Sequence, residues 1–342
     1  MDIRKTQERL DSIDRVRLAD LPTPVEDAPR LARHAGLSRL LVKRDDKTGL
    51  ALGGNKVRKL EYDLAEVARG GHDLVVTIGG SQSNHAAITA AAARKLGIDV
   101  KLVLGGPDFT GFRGNLLLEV MLGAEIRYLV DDDANDSLAA AMDEWVNELR
   151  REGRNPLALP IGGSTGAGAL GYVRAMRELA GQIGDGPAQI VVGIGSCGTF
   201  AGLNLGARVF LPRARVIGIS VSRTVSAIRE RTLELLGESA QLLGIDSGLS
   251  VADLECFDEY VDEYGVATDS GLAAIDAAAK LEGLLLDPVY TGKVMGALVD
   301  LARRRVLDPA VPTVFIHTGG LPIVFAFEEL LSRHAACTRI VR

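Results

Sequence analysis

The sequence predicts a doubly wound α/β fold, and three observations carry that prediction. From Arg39 onward, short runs of β-branched residues and leucine are each followed by a glycine turn and then a helical period, many times over. The runs are almost wholly apolar, as expected of parallel strands covered by helices on both faces. Glycine is in excess, 39 of 342 residues, where about 7% is usual, so backbone approaches something closely at many positions.

Taken in order, strands are expected at Leu40 to Lys43, Leu74 to Ile78, Val100 to Leu104, Ile126 to Val130, Leu157 to Pro160, Ile190 to Ile194, Val216 to Val221 and Val314 to His317. Between them, Val57 to Arg69, Asn84 to Leu96, Ser137 to Arg151 and Leu272 to Leu281 carry a helical period. Such alternation calls for right-handed crossovers. At roughly 150 residues per domain the length suggests two domains, although no repeat, low-complexity tract or long linker separates them.

Charge and cysteine usage exclude several classes of function. The formal net charge is −6, in a chain 47% hydrophobic and 25% charged. That balance argues against disorder and against a general nucleic-acid binder. Cys197, Cys256 and Cys337 are too few and too scattered for a disulfide framework or a zinc quartet, so no metal is expected. Met1 to Arg17 mix acidic and basic residues without an apolar stretch, which does not read as a signal or transit peptide; a cytoplasmic location is expected. Ile190 to Ala207 carries no charge and reaches the roughly 18 residues of a membrane span, but its five glycines with Ser196, Thr199 and Asn204 suit a strand, a tight turn and a helix.

Four loops hold the candidate chemistry. Gly193, Gly195 and Gly198 form a G-x-G-x-x-G pattern between a strand and a helix, the setting of a dinucleotide fingerprint. The following strand, however, ends Val221-Ser-Arg223, without the carboxylate that an NAD ribose requires. What survives is a phosphate cup of helix N-terminal amides with the Ser196 and Thr199 hydroxyls. In Gly53-Gly54-Asn55-Lys56, a lysine at a helix start sits at the wrong end of the dipole, which favours the neutral amine that carbonyl chemistry needs; taken alone, a solvated lysine without a role is the commoner alternative. Lys59 follows one turn on, able to meet a phosphate. In Gly79 to His85, Ser83, Asn84 and His85 converge where amides point outward, so a carboxylate could be held; Ser83 or Asn84 could equally be a plain helix cap. Asp287 to Lys293 and His317 to Gly320 end strand-like runs with polar groups, where open α/β sheets bind ligands.

Taken together, Gly53-Gly-Asn-Lys-Val-Arg-Lys59, Gln82-Ser-Asn-His85, Asp287-Pro-Val-Tyr-Thr-Gly-Lys293 and His317-Thr-Gly-Gly320 resemble the pyridoxal-phosphate enzymes of the aminocyclopropane-carboxylate deaminase and D-cysteine desulfhydrase family. Pro22-Thr-Pro24, Lys43-Arg-Asp-Asp46, Ile161-Gly-Gly-Ser164 and Tyr264-Gly-Val266 extend the resemblance, in order, from about Leu21 to about Phe327. It implies a tryptophan-synthase β-like fold (fold type II) and a homodimer. It also implies a small domain, 53–163, inserted into a larger one, 1–52 plus 164–342, with pyridoxal 5'-phosphate in the cleft. Lys56 matches the Schiff-base lysine and Lys59 a lysine reaching the cofactor phosphate. Gly195, Ser196, Cys197, Gly198 and Thr199 match the phosphate cup, and Asn84 looks like the partner of the ring hydroxyl. Ser83, with Asn84 and His85, matches the substrate loop, while Tyr264 and Tyr290 match two active-site tyrosines.

The same resemblance bears on the reaction. Relatives that open the cyclopropane ring look like Tyr-Glu at Tyr290-Thr291, with leucine in place of Thr318. Thr291 and Thr318 look like the desulfhydrase pairing, in which a neutral hydroxyl at the ring nitrogen leaves a weaker electron sink. The expectation is β-elimination from a small amino acid, most directly D-cysteine to pyruvate, ammonia and hydrogen sulfide. Aminocyclopropane-carboxylate deaminase, L-cysteate sulfo-lyase and, on the glycine fingerprint alone, an NAD-dependent dehydrogenase are the alternatives. One departure stands out: a segment that commonly resembles Ser-Asn-His-Val-Arg-Gln is here Ser83-Asn-His-Ala-Ala-Ile88.

Overall fold

The computed structural model describes residues 2–107, 111–261 and 265–334. Its strands are β1 (Val25–Asp27), β2 (Leu40–Lys43), β3 (Leu74–Gly80), β4 (Asp99–Gly106), β5 (Glu125–Val130), β6 (Pro156–Leu159), β7 (Ala188–Ile194), β8 (Ala214–Ser220), β9 (Glu255–Phe257) and β10 (Thr313–Ile316). One sheet has the order β1-β2-β10-β7-β8-β9 and the other β5-β4-β3-β6. Among the described residues all pairings are parallel except β1 against β2.

Each expected strand is present, its ends displaced by at most two residues. The unexpected strands, β1 and β9, are three residues each and close opposite edges of the larger sheet, too short to show a period. The helix expected over Val57 to Arg69 is two, Asn55–Asp63 and Ala65–Ala68. The Glu61 carbonyl accepts from the Val16 amide at 2.8 Å, so the ladder is interrupted there.

The apolar runs are buried on both faces. In β7, Ile190, Val192 and Ile194 pack with the helices Gly166–Ile183 and Gly198–Phe210, while Val191 faces the opposite layer with the helix Thr291–Arg303. In β3, Val75 packs on one side and Leu74, Val76 and Ile78 on the other. Each such side chain contributes roughly 1.5–3 kcal/mol of burial, so register is strongly specified and strand ends are held in place. Those ends carry the loops that matter below.

A buried charge network fixes the helix Asn55–Asp63 on its neighbours. Arg58, 1% exposed, donates to both Asp45 oxygens at 2.9 Å and to both Glu178 oxygens at 3.0 Å, and Lys43 binds the same Glu178. Tyr172 adds a hydrogen bond to Asp45 at 2.6 Å. Removing one partner strands the others without solvent, so Arg58→Met is expected to cost about 3–5 kcal/mol of stability. Denaturant unfolding checks this, and a loss below 1 kcal/mol would contradict it.

Candidate active site

The loop before Lys56 is shaped by its glycines. Gly53 and Gly54 have φ of 72° and 122°, and a side chain on Gly53 would start 2.1 Å from the Asp46 carbonyl oxygen. Thr48 Oγ1 accepts from the Gly54 amide and donates to its carbonyl, and the Asn55 amide donates to the Thr318 carbonyl at 3.0 Å. Lys56 is thereby the second residue of its helix, lining a cavity of about 360 Å³. Its amine makes no hydrogen bond among the described residues. Burial brings it down to about 8, against the opposing pull of Asp63.

The cup lies at the end of β7. Cys197 adopts a left-handed φ of 70° and starts the helix Gly198–Phe210, whose Thr199 and Phe200 amides, unbonded among the described residues, belong to residues lining the same cavity as Gly195, Ser196 and Cys197. Asn55 Nδ2 donates to Thr199 Oγ1 at 3.0 Å, tying the lysine loop to the cup. Lys59 is fully buried behind it, donating to the Gly162 carbonyl at 2.6 Å and to Ser164 Oγ at 2.9 Å; Ser164 in turn donates to Ser196 at 2.7 Å. A side chain on Gly198 would start 2.7 Å from the Lys59 nitrogen. Burial, then the nearby Lys56 charge, holds the Lys59 amine well below its ordinary value.

Ser83, Asn84 and His85 line the cavity from β3's side. Ser83 caps the helix Asn84–Leu96, accepting from the Ala86 amide, so the cap reading and the cavity-wall reading are both satisfied. Asn84 Oδ1 accepts from Asn115 Nδ2 at 2.7 Å. The Thr77 hydroxyl spends its proton on the Leu159 carbonyl, so His85 Nε2, 2.9 Å away, must donate to Thr77. Burial keeps this imidazole neutral. Ala87 and Ile88, the departure noted above, line a second, mostly apolar cavity of about 200 Å³ on Asn84's other side.

Tyr290 and Thr318 also line the main cavity. Thr291 does not, which corrects its expected place at a ring nitrogen: its hydroxyl donates to Asp287 Oδ2 at 2.6 Å and accepts from the Asp287 amide at 2.7 Å. Tyr264 lies outside the described residues. The sequence reading missed Asn55, Gly162, Asp133 to Asn135, Ser222 and Arg223, all in the lining. Asn55 stood inside a quoted motif, and Arg223 was noticed only for not being a carboxylate; the acidic run before Asn135 gave no signal of a cavity wall.

The model of the family described as pyridoxal-phosphate dependent enzyme matches residues 16–319. The chain belongs to that family. This pyridoxal-phosphate enzyme is 42% identical over 321 residues to a putative 1-aminocyclopropane-1-carboxylate deaminase of Pyrococcus horikoshii, covering 93% of this chain and 95% of that one. It is 40% identical over 334 residues to a D-cysteine desulfhydrase of Klebsiella pneumoniae, covering 95% and 99%. Among solved structures, a homologue of the deaminase superposes with a TM-score of 0.89 at 40% identity, covering 96% and 99%. Threonine deaminase of Solanum lycopersicum, at 16% identity and a TM-score of 0.70, covering 99% and 90%, shares the fold. The architecture is fold type II.

The residues present fit pyridoxal phosphate. The cavity offers the start of the helix at Cys197 and Thr199 and the Ser196 hydroxyl for the phosphate, and for the aldehyde the Lys56 amine, which has no hydrogen-bond partner among the described residues. Lys59 and Gly198, expected in the cup, do not line the cavity, because Lys59 is spent on the Gly162 carbonyl and Ser164 and Gly198 packs against it. Lys59→Ala is expected to weaken cofactor binding roughly tenfold to a hundredfold, by removing the buried charged hydrogen bonds to the Gly162 carbonyl and Ser164 that position Ser196 in the cup. Gly198→Val should do at least as much by pushing Lys59 and Ser164 out of place behind the cup. Titration of the cofactor-free protein measures both, and unchanged affinity in the two variants would refute the cup.

Proposed function

We propose that this enzyme is a lyase that eliminates the β-substituent of a small α-amino acid, most directly D-cysteine, giving pyruvate, ammonia and hydrogen sulfide. The observation that carries this reading is Thr318, a neutral hydroxyl on the cavity wall, at a position where the family resemblance implies leucine in ring-opening enzymes. Asp287, the nearest candidate carboxylate by sequence, has its oxygens taken by the Val289, Tyr290 and Thr291 amides and the Thr291 hydroxyl. Pyridoxal phosphate supplies the electron sink for the pair left at Cα. Lys56, once neutral, takes the Cα proton. Ser83 and the amides at the start of its helix hold the substrate carboxylate, Asn84 faces the cofactor, and Tyr290 holds or passes a proton beside the β-carbon.

A deaminase acting on 1-aminocyclopropane-1-carboxylate is the second reading, favoured by the name of one relative. Keto acid release from D- and L-cysteine, cysteate, β-chloroalanine and aminocyclopropane-carboxylate separates the two. The proposal includes domain limits at 53 and 163, supported by the smaller sheet lying wholly within residues 74–159. It also includes a cytoplasmic homodimer. No helix of the described residues is long and apolar enough to cross a membrane. Leu117, Val120, Met121 and Phe325 leave an exposed apolar face suited to a second copy.

A further inference from the structure

Arg223 follows β8 and lines the same cavity as Lys56 and Tyr290. Its backbone is locked: buried Ser220 Oγ accepts from the Ser222 and Arg223 amides at 3.2 and 2.9 Å and donates to the Arg223 carbonyl at 2.6 Å. Its side chain is anchored as well, since Nε donates to the Gly195 carbonyl at 3.0 Å. The terminal nitrogens have no partner among the described residues. A half-buried guanidinium, fixed at one donor and open at four, is preorganised to take an anion in a planar fork.

Two anions could use it, the cofactor phosphate and a charged substrate side chain. The phosphate is already provided with the start of the helix Gly198–Phe210 and with Ser196, which Ser164 and Lys59 hold from behind. Arg223 lies beside Gly195, the first residue of that cup, at its edge toward Tyr290. A side chain on Gly195 would stand 3.7 Å from the Tyr290 ring, so Arg223 and Tyr290 flank the same glycine. Asp133 is the one carboxylate among the described lining residues. Among the described lining residues the other cationic side chain is Lys56, which is committed to the cofactor.

We propose that Arg223 is a specificity-determining residue that binds the substrate's β-substituent as an anion, a thiolate or sulfonate, an inference that rests on the lyase reading above. It selects cysteine and cysteate over β-substituted alanines whose substituent is neutral.

The test uses the cofactor-loaded enzyme and the variants Arg223→Gln and Arg223→Lys, with cysteine and cysteate of either hand and β-chloroalanine. Arg223→Gln is expected to lower kcat/KM for the thiol and sulfonate substrates by roughly tenfold to a hundredfold, through KM. β-Chloroalanine should change by less than about threefold, cofactor affinity should hold, and Arg223→Lys should recover part of the loss. Equal losses on all substrates, weakened cofactor binding, or no change anywhere would each overturn the proposal; the first two assign the arginine to cleft closure or to the phosphate. If the wild type turns over none of these compounds, the lyase reading fails separately. Binding of aspartate against asparagine, followed by the cofactor's absorbance, then decides the anion site: a preference for aspartate that Arg223→Gln removes upholds it, and no preference refutes it.

Discussion

Replacing Lys56 with alanine is expected to abolish turnover, by on the order of 10,000-fold or more, while the protein still folds. The side chain lines the cavity and makes no hydrogen bond to the described residues, so it contributes little to packing. Its backbone is held independently by Thr48, Thr318 and the Arg58 network. The wild type should absorb in the near-visible when loaded, borohydride should fix the cofactor to one lysine, and the alanine variant should lose both properties. A variant that keeps the cofactor bound to Lys59 or Lys293 would show the assignment to be wrong.

The same amine sets a pH dependence with a definite sign. Burial brings Lys56 down to about 8 in the folded protein. Attack on the cofactor's aldehyde needs the neutral amine, so loading should quicken as pH rises through about 8. Between that value and the ordinary lysine value the unfolded chain binds more protons than the folded one, so the cofactor-free protein should gain stability as pH rises there. Lys56→Ala removes its share of that slope and leaves the part set by buried Lys59.

How much of this was legible in the sequence depended on whether a feature was local. β2 and the helix Asn84–Leu96 were bounded correctly because an apolar run and a cap, Ser83, are properties of adjacent residues. The break after Asp63 was not, because it is made by an amide 45 positions earlier in the chain, at Val16, binding Glu61. The site divides in the same way. Ser83 and Gly195 stand in glycine loops at strand ends, where α/β sheets expose their chemistry, and Lys56 follows a glycine pair at a helix start. Asp133 and Arg223 reach the cavity only because distant strands align them, and the Thr291 hydroxyl is claimed by Asp287, a contact no spacing rule announces.

That contact sharpens the prediction that decides the reaction. The wild type is expected to release keto acid from D-cysteine or β-chloro-D-alanine with kcat/KM at least about 100-fold above that for aminocyclopropane-carboxylate. Opening the ring breaks a carbon–carbon bond without a good leaving group, so it depends on a protonated ring nitrogen as the sink, and on the proposed reading Thr318 would offer only a hydroxyl there. Thr291→Glu should lower elimination without creating the deaminase, for a reason the structure makes specific. Position 291 is 1% exposed and already bonded to Asp287, whose own carboxyl is pushed up by burial. A second carboxylate would meet the first instead of entering the cavity, and the variant should lose stability as well as activity. Faster turnover of aminocyclopropane-carboxylate than of every β-substituted alanine, of either hand, would defeat the argument from Thr318 and place this enzyme on the deaminase side of its family.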